Sequence, residues 1–426
     1  MSSMLIKNIA SLVNVRKESH LLRGAGLTSL PCIDNAYLLI EGYDIAGYGS
    51  MESLAASRHP KPDLIIDAKQ GFVLPAWCDS HTHLVFAGSR EKEFVDKLHG
   101  KTYAEINAAG GGILNSAVAL NHTSEDALFL SAWKRLEEIA ALGTGAVEIK
   151  SGYGLTVEAE LKMLRVIKKL KERSALTIRA TFLGAHTFPT VYREDHDGYI
   201  KLIIDEMLPV IAREKLADYI DVFCENGFFN PEEMETICRA GMNFGLKPKL
   251  HVNQLNSIGG IKKGIDLRAV SLDHLETMTE EDLQCLSSSY ESFDHYSGPV
   301  ATLLPTAAFF LRLPFQPARR LIDGGCAVAL ASDYNPGSSP SGNMNFVVSL
   351  SCIQMRMLPE EAINAATING AFAMECAQDH GTITVGKKAS LIITRPIPSL
   401  AYLPYSFGTN YIHNVMLNGK LLNDHP

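Results

Sequence analysis

The sequence lacks an excess of positive charge and lacks long uninterrupted apolar runs. Lysine and arginine number 39 against 47 aspartates and glutamates, which gives a formal net charge of −8. A modestly acidic chain without long basic runs is a poor match for nucleic acid or for an anionic membrane surface. No stretch reaches the length of about 18 apolar residues that suggests a bilayer-spanning helix. We therefore expect no nucleic-acid partner and no membrane partner.

Closely spaced cysteine pairs are also missing. The eight cysteines are spread along the chain, and none forms a C-x-x-C motif. This spacing favours reduced, mostly buried thiols over a disulfide framework. The first twenty residues lack the long apolar stretch and the small-residue cleavage site of a signal peptide. These features together predict a cytoplasmic protein.

The sequence does contain enough apolar material for a large core. Of its 426 residues, 46% are hydrophobic and 20% are charged, as in an ordinary globular protein. Short β-like runs divided by turn residues fill 1–75 and recur over 379–426. Because neither terminal piece has enough strands to bury a core comfortably alone, we expect the two to fold together as one discontinuous β domain.

The middle of the chain, 76–378, alternates short apolar runs with helix-length amphipathic stretches such as 157–173 and 231–245. This alternation is typical of βαβ units in a parallel sheet. The predicted strands are 71–83, 145–152, 177–186, 218–226, 246–254, 269–276, 299–305 and 326–337. Eight such strands with intervening helices predict a closed (β/α)8 TIM-like barrel of the α/β class. A doubly wound open sheet is the alternative.

Polar side chains end several of these apolar strands. They are His81, His83, His186, His251, Asp273, His274 and Asp333. In a barrel the carboxyl ends of the strands meet at one rim, where active sites lie. Histidine and aspartate that converge there form a site for a divalent transition metal. A single one of these residues would more often serve core packing or capping, so the recurrence of the pattern carries the prediction.

The spacing of His81 and His83 supports a metal site. Side chains at positions i and i+2 of a strand point to the same face, so the two imidazoles can face one ion together. An isolated H-x-H element is common by chance. The additional histidines and aspartates at other strand ends are what make a ligand pair the better interpretation.

Nine segments of the chain resemble the imidazolonepropionases of the amidohydrolase superfamily, enzymes of histidine breakdown. The segments are DSHTHLVFAGSREKEF (79–94), AAGGGI (108–113), EIKSGYGL (148–155), FLGAH (182–186), DEMLP (205–209), HVNQLNSIGG (251–260), DHLE (273–276), LLPTAAFFLR (303–312) and SDYNPGSSP (332–340). The H-x-H element alone marks only the superfamily. The SGYGL, FLGAH and DYNPGSSP segments together are far more specific for the imidazolonepropionases.

The resemblance implies a barrel flanked by a β-sandwich-like domain built from both termini, and a homodimer. It implies one zinc or iron ion held by His81, His83, His251 and Asp333. Some relatives carry a second metal, bridged by a carboxylated lysine at the end of the fourth barrel strand. Here that strand ends at Cys224-Glu225. We therefore expect a single ion, and a buried salt bridge for Lys150 at the end of the second strand.

The resemblance also implies a small-molecule substrate, 4-imidazolone-5-propanoate, whose cyclic amide is hydrolysed to N-formimidoyl-L-glutamate. The implied substrate contacts are Arg90, Tyr153, His186, Gln254, Asn335, Gly337 and Ser338. Arginine offers a fork that matches a carboxylate, and hydroxyl groups add oriented donors. We expect the turn 335–338 to expose backbone N–H groups to the anionic tail of the substrate.

Two residues are candidates for proton transfer in this reaction. Asp333 is expected to take a proton from the attacking water and to pass it to the leaving ring nitrogen. His274 is expected near the metal but outside the ligand set, where it would stabilise the oxyanion or act as the base. The sequence leaves the base role open between them.

Two other functional classes remain open. One is a deaminase of a nucleobase or a guanidine compound on the same scaffold, against which the SGYGL and NPGSSP segments argue. The other is a non-catalytic relative that kept the barrel as an assembly platform. Such a protein should have lost metal ligands, whereas the four predicted ligands are all present.

Overall fold

The computed structural model describes residues 3–56, 61–101, 105, 111–291 and 298–422, so the AAGGGI segment lies partly outside the described residues. The strands are β1 (Ser3–Val13), β2 (Cys32–Glu41), β3 (Asp44–Ser50), β4 (Leu64–Asp67), β5 (Phe72–Pro75), β6 (Trp77–Asp79), β7 (Thr144–Lys150), β8 (Thr177–Ala185), β9 (Tyr219–Cys224), β10 (Lys247–Val252), β11 (Ser271–His274), β12 (Val300–Leu303), β13 (Val328–Leu330), β14 (Leu391–Thr394), β15 (Ile412–Leu417) and β16 (Lys420–Leu421).

Helices separate most of the strands from β6 onward. The α-helices are α1 (Met51–Ala56), α2 (Glu91–Leu98), α3 (Ile113–His122), α4 (Glu125–Ala141), α5 (Val157–Arg173), α6 (His196–Leu202), α7 (Leu208–Glu214), α8 (Pro231–Asn243), α9 (Gly260–Asp266), α10 (Glu280–Ser289), α11 (Pro305–Leu311), α12 (Ala318–Asp323), α13 (Met344–Met355), α14 (Pro359–Asn364), α15 (Gly370–Ala373) and α16 (Tyr402–Tyr405). Short 3-10 turns (Gly24–Thr28, Thr190–Tyr192) and π-helical turns (Ile203–Met207, Ala365–Asn369) complete the set. Among the described residues, no helix is both long enough and apolar enough to cross a bilayer.

The eight strands β6 to β13 form a parallel sheet in chain order, and the sheet closes on itself. Closure occurs just beyond the last ladder pairs, where Thr82 and Tyr334 form a parallel bridge. The His83 N–H donates to the Tyr334 carbonyl at 2.9 Å, and the Asp333 N–H donates to the His81 carbonyl at 3.0 Å. The predicted barrel is therefore confirmed, and the open-sheet alternative is wrong. The seam runs through three of the predicted metal ligands.

The two ends of the chain form a second, mixed sheet, as the sequence predicts. Its order is β16-β15-β14-β5-β1-β2-β3, with β4 also paired to β1. Strand β14 from the C-terminal part pairs antiparallel with β5 from the N-terminal part. This sheet has a core of its own, to which Ile6, Ile9, Leu391 and Met416 contribute. Each terminal segment thus supplies apolar side chains that the other segment needs for burial.

The predicted first strand, 71–83, is two strands with different partners. Strand β5 belongs to the terminal sheet, whereas β6 is the first strand of the barrel. The Ala76 N–H between them donates to the Ser390 carbonyl of the terminal sheet, and the Trp77 N–H donates to Gly143 of the barrel. The apolar pattern continues across the change of sheet because both strands are buried, so periodicity does not reveal the break.

The predicted amphipathic helices owe their ends to local capping. At the start of α5 the Thr156 hydroxyl accepts from the Ala159 N–H, and basic residues occupy its last turn. At α8 the Asn230 side chain and Glu233 form a capping box, with Pro231 at the first helical position. Caps of this kind satisfy backbone N–H groups that helix geometry leaves unpaired.

Gly370 at the start of α15 allows that helix to approach the first barrel strand closely. A Cβ atom at this position would lie 2.3 Å from the backbone carbonyl oxygen of Cys78. We expect Gly370→Ala to cost about 2 kcal/mol of unfolding free energy, because overpacking outweighs the roughly 1 kcal/mol that alanine gains in helix propensity. The measurement is the midpoint of urea unfolding. Gly408→Ala, with no atom within 4 Å of its added Cβ, is the control, and equal midpoints for the two variants would contradict the prediction.

Candidate active site

The carboxyl-terminal rim of the barrel brings the predicted ligands together. His81 and His83 follow β6, His251 lies in β10, His274 ends β11 and Asp333 follows β13. All five are buried, with at most 2% of each residue exposed. In sequence they span some 250 positions, and the parallel order of the sheet is what makes their strand ends adjacent.

The distances between donor atoms are those of one compact cluster. The Nε2 atoms of His83 and His251 are 3.3 Å apart. Asp333 Oδ1 lies 3.5 Å from His81 Nε2 and 3.7 Å from His83 Nε2. The atoms that could bind a metal form two groups, and within each group they lie within 4.8 Å of one another. One group is His81, His83 and Asp333, and the other is His81, His251 and His274. The four predicted ligands are thus neighbours, and His274 lies equally close.

The orientation of the imidazoles fits a cation. Nδ1 of His81 is 2.7 Å from Asp273 Oδ2, and Nδ1 of His251 is 2.7 Å from Asp221 Oδ2. A carboxylate at Nδ1 assigns the proton to that nitrogen and turns the Nε2 lone pair inward. His81 Nε2 is buried and has no hydrogen-bond partner among the described residues. A buried lone pair that meets no hydrogen-bond donor is costly. The Nε2 atoms of His81 and His251 and the adjacent Asp333 carboxylate are therefore suited to bind a divalent metal ion.

Burial also keeps these histidines neutral, as metal binding requires. It lowers the pKa of His81, His83 and His251 well below the usual value of 6.5. A neutral imidazole has a lone pair to donate, whereas a protonated one does not. The three side chains are therefore in the ligand form at neutral pH.

The backbone is strained at two residues of the cluster. His274 has φ of +86° and Asp333 has φ of +52°, in the left-handed region that non-glycine residues rarely adopt. Asn335 Nδ2 donates to the Asp333 carbonyl at 2.7 Å and so helps to hold this conformation. Strain of this kind costs about 1–3 kcal/mol and concentrates at functional sites.

Sequence reasoning missed two carboxylates that orient the cluster. Asp221 lies in the middle of β9 and holds His251, and Glu276 Oε1 lies 3.2 Å from His274 Nδ1. The sequence marks Asp273 only as a strand-end residue and gives no sign of its contact with His81. A usable signal existed for Asp221, because a carboxylate within the apolar run of a doubly buried strand needs a partner.

Lys150 makes the buried salt bridges that the sequence predicts. Its Nζ lies 2.7 Å from Glu148 Oε1, 2.9 Å from Asp221 Oδ2 and 3.5 Å from Asp273 Oδ2. Burial alone would lower the pKa of Lys150, but the surrounding carboxylates outweigh it and raise the pKa above its usual value. The side chain is therefore a cation.

A cavity of about 360 Å³ opens in front of the cluster. Its walls include His83, His251, His274 and Asp333. All seven predicted substrate contacts also line it: Arg90, Tyr153, His186, Gln254, Asn335, Gly337 and Ser338. Residues from six separate chain segments therefore face one space large enough for a small organic molecule.

Arg90 is a firmly held cation in this wall. Its Nε donates to Glu93 Oε2 at 2.8 Å, and Glu93 Oε1 accepts from the Gly112 N–H at 3.1 Å. A Cβ atom on Gly337 would lie 2.1 Å from Arg90 Nη1, so the guanidinium rests directly against the glycine backbone. The absence of a side chain at Gly337 leaves room for Arg90 in the position in which Glu93 holds it.

The turn 335–338 does not expose the backbone N–H groups that the sequence suggested. The N–H groups of Gly337 and Ser338 both donate to Asn335 Oδ1 at 2.8 Å. The amide side chain thus closes the turn on itself. What the turn directs toward the cluster is the Ser338 hydroxyl, which donates to Asp333 Oδ2 at 3.1 Å.

His186 and Tyr153 form an aromatic wall next to His83. The His186 ring stacks on His83 with centroids 5.2 Å apart, and Tyr153 lies 5.3 Å from His186. Nδ1 of His186 donates to the Gly152 carbonyl at 3.0 Å, which assigns the lone pair to Nε2. Burial lowers the pKa of His186 to about 4, so this ring is neutral and can accept a hydrogen bond.

Comparison with known proteins shows the family of this chain. The amidohydrolase family model matches residues 72–422. The imidazolonepropionase of Flavobacterium johnsoniae is 58% identical, covering 98% of this chain and 99% of that protein. The imidazolonepropionase of Christiangramia forsetii is 52% identical, covering 99% and 100%. The chain belongs to the amidohydrolase family and, within it, to the imidazolonepropionases.

Solved structures agree on the fold. An adenosine deaminase from Xanthomonas campestris with bound zinc superposes with a TM-score of 0.69, covering 99% of this chain and 92% of that one. Sequence identity in that comparison is only 14%, so the likeness concerns the fold alone.

The contact between Asp273 and His81 gives a test of the cluster as a metal site. We expect Asp273→Asn to weaken zinc binding by about 10- to 100-fold, because the amide is a poorer partner for the imidazole Nδ1–H. Zinc affinity is measured by competition with a chromophoric chelator. Asp323→Asn, whose side chain is 67% exposed, is the control. Wild-type zinc affinity in Asp273→Asn would show that the carboxylate does not orient a ligand.

Proposed function

We propose that the protein is a metal-dependent hydrolase that opens the cyclic amide of 4-imidazolone-5-propanoate and releases N-formimidoyl-L-glutamate, a step of histidine breakdown. The observation that carries the proposal is the adjacency of the His/Asp cluster and a cavity lined by a fixed arginine. Such a cavity suits a small ring that carries a carboxylate. The imidazolonepropionases with which the chain shares more than half of its residues support the same substrate.

The proposed cofactor is one zinc or iron ion held by His81, His83, His251 and Asp333. A bound ion of this kind polarises a carbonyl group and lowers the pKa of a water molecule to about 7. A single ion is favoured because the Lys150 ammonium is occupied by three carboxylates. A lysine that bridges two ions must instead lose its charge and become carboxylated.

Asp333 is the proposed base. Its Oδ1 faces the histidine nitrogens, and its Oδ2 accepts from Ser338, so the carboxylate is held at the boundary between cluster and cavity. Water adds to the amide carbonyl carbon and gives up a proton to Asp333. When the ring C–N bond breaks, the same proton passes to the leaving nitrogen, and the new carboxylate takes the oxygen of water.

His274 is the proposed stabiliser of the oxyanion. Glu276 holds its Nδ1, and the ring lines the cavity beside Asp333. Burial would lower the pKa of His274, but Glu276 outweighs it and raises the pKa above its usual value, which favours the imidazolium form whose Nε2–H can donate. Such a donor strengthens its hydrogen bond as the carbonyl oxygen gains charge and is worth about 10² or more in turnover.

The remaining cavity residues are proposed to hold the substrate. Arg90 would pair with the propionate, since its guanidinium is fixed by Glu93 and faces the cavity. Neutral His186 and Tyr153 would contact the imidazolone ring as an acceptor and an aromatic wall. Gln254, Asn335, Gly337 and Ser338 complete the proposed contact set.

Three further features belong to the proposal. We propose that 1–75 and 379–426 form the small domain and 76–378 the catalytic barrel, a division supported by the change of sheet between β5 and β6.

We propose that the protein works in the cytoplasm, which is supported by eight cysteines that are all free thiols. The expected assembly is a homodimer.

The direct test of the activity is the ultraviolet absorbance of imidazolone propionate in the presence of the purified protein. We expect the absorbance to fall, to stop falling after chelation of the metal, and to resume on addition of zinc or iron. A panel of purines, pyrimidines and guanidine compounds serves as the comparison. Turnover of one of these in place of imidazolone propionate would contradict the proposed substrate and favour a deaminase.

The role of His274 gives a second test. We expect His274→Ala to lower kcat by about 10² or more while the metal stays bound, because the side chain acts on the reacting carbonyl and is not a ligand. Turnover and metal content are measured on the same preparation, with the exposed histidine variant His413→Ala as the control. Loss of the metal in His274→Ala would instead make this residue a ligand, and near-normal kcat would remove it from the mechanism.

A further inference from the structure

Beneath the candidate metal ligands, five charged side chains are buried inside the barrel. They are Glu148, Lys150, Asp221, Lys249 and Asp273. Each has at most 1% of its surface exposed. Charges this deep are costly unless they are paired, so the pattern of their contacts indicates what the layer does.

Lys150 lies between the two carboxylates that hold metal-ligand candidates. Its Nζ is 2.9 Å from Asp221 Oδ2 and 3.5 Å from Asp273 Oδ2. Those same two oxygen atoms are the partners of His251 Nδ1 and His81 Nδ1, each at 2.7 Å. The Lys150 ammonium therefore contacts both aspartates, and each aspartate in turn contacts one imidazole.

The order of the strands places the two carboxylates on either side of one strand. Asp221 lies on β9 and Asp273 on β11, and these strands flank β10 on its two sides. Two carboxylates that face the same interior repel each other unless a cation separates them. Asp221 Oδ1 accepts from the His251 backbone N–H at 3.0 Å, and Asp273 Oδ1 accepts from the Ser271 hydroxyl at 2.6 Å. The Lys150 ammonium holds the other oxygen of each carboxylate, the one that faces the imidazole.

We propose that Lys150 is a positioning residue for the metal site, and that its single ammonium sets the orientation of both His81 and His251. The inference rests on the proposed metal ion and its ligands. It predicts that loss of the charge at Lys150 disturbs two ligands at once, although Lys150 itself touches neither of them.

Lys249 provides a matched control within the same layer. It is equally buried, and its Nζ lies 3.1 Å from Glu148 Oε2. Its other contacts are with the Ser271 hydroxyl and the Ala373 carbonyl, both at 2.8 Å. It makes no salt bridge with Asp273 among the described residues; the Ser271 hydroxyl links the two, and the charge of Lys249 acts on that carboxylate from a greater distance. Removal of Lys249 therefore deletes a buried ammonium without deleting a direct partner of either orienting carboxylate.

The experiment compares Lys150→Met with Lys249→Met in the full-length protein. Apoprotein is prepared by chelation and titrated with zinc in competition with a chromophoric chelator, and with Co²⁺ to record the visible spectrum of the bound ion. Thermal unfolding of both apoproteins measures how much stability each variant loses with its buried ammonium. We expect Lys150→Met to raise the Kd for zinc by about tenfold or more and to change the cobalt spectrum, and Lys249→Met to stay within about threefold of wild type.

Lys150→Gln is the second variant, for the case that methionine prevents folding. It keeps a polar group that can bond one carboxylate but not separate both, so the same direction of change is expected. Wild-type Kd and cobalt spectrum in the variant that folds would overturn the inference, as would equal losses in the Lys150 and Lys249 variants. Failure of the wild-type protein itself to bind either ion would overturn the proposed metal site, and the inference with it.

Discussion

The pairing of buried imidazoles with buried carboxylates is the interaction on which the rest of this site depends. His81 and His251 each present one nitrogen to an aspartate, at 2.7 Å, and the other nitrogen to the centre of the rim. In a buried site, the carboxylate decides which nitrogen carries the proton and therefore which one carries the lone pair. The cluster is thus organised for a cation by the protein alone. The chemistry proposed for the cavity requires this organisation before substrate enters.

Barrel closure and site formation are the same structural event. The seam between the first and last barrel strands consists of backbone hydrogen bonds made by His83 and Asp333. Asp79 extends the seam, since its carboxylate accepts from the backbone and the hydroxyl of Ser332 at 2.9 and 2.5 Å. A residue in a strained left-handed conformation, such as Asp333, persists only where its surroundings fix it. Here the closing hydrogen bonds provide that restraint, so loss of barrel closure and loss of the site should occur together.

Much of the fold could be predicted from the sequence because burial on both faces makes each parallel strand a nearly continuous apolar run. The same property concealed the break between β5 and β6, where two buried strands of different sheets follow each other. The convergence of the candidate ligands could be predicted because polar residues are conspicuous at the ends of apolar strands. The orienting contacts were not, since His81 and Asp273 are 192 residues apart and only the register of the barrel makes them neighbours. The hydrogen bonds within the turn 335–338 could not be predicted either, because they depend on the rotamer of the Asn335 side chain.

The most direct measurement of the central claim is anomalous diffraction from crystals of the metal-loaded protein at the zinc and iron absorption edges. We expect one peak at the rim, about 2.1 Å from the Nε2 atoms of His81, His83 and His251 and within bonding distance of Asp333. His274 should face the peak without binding it. A peak that bonds His274 in place of His83 or Asp333, a second peak beside Lys150, or the absence of any peak at the rim would contradict the account.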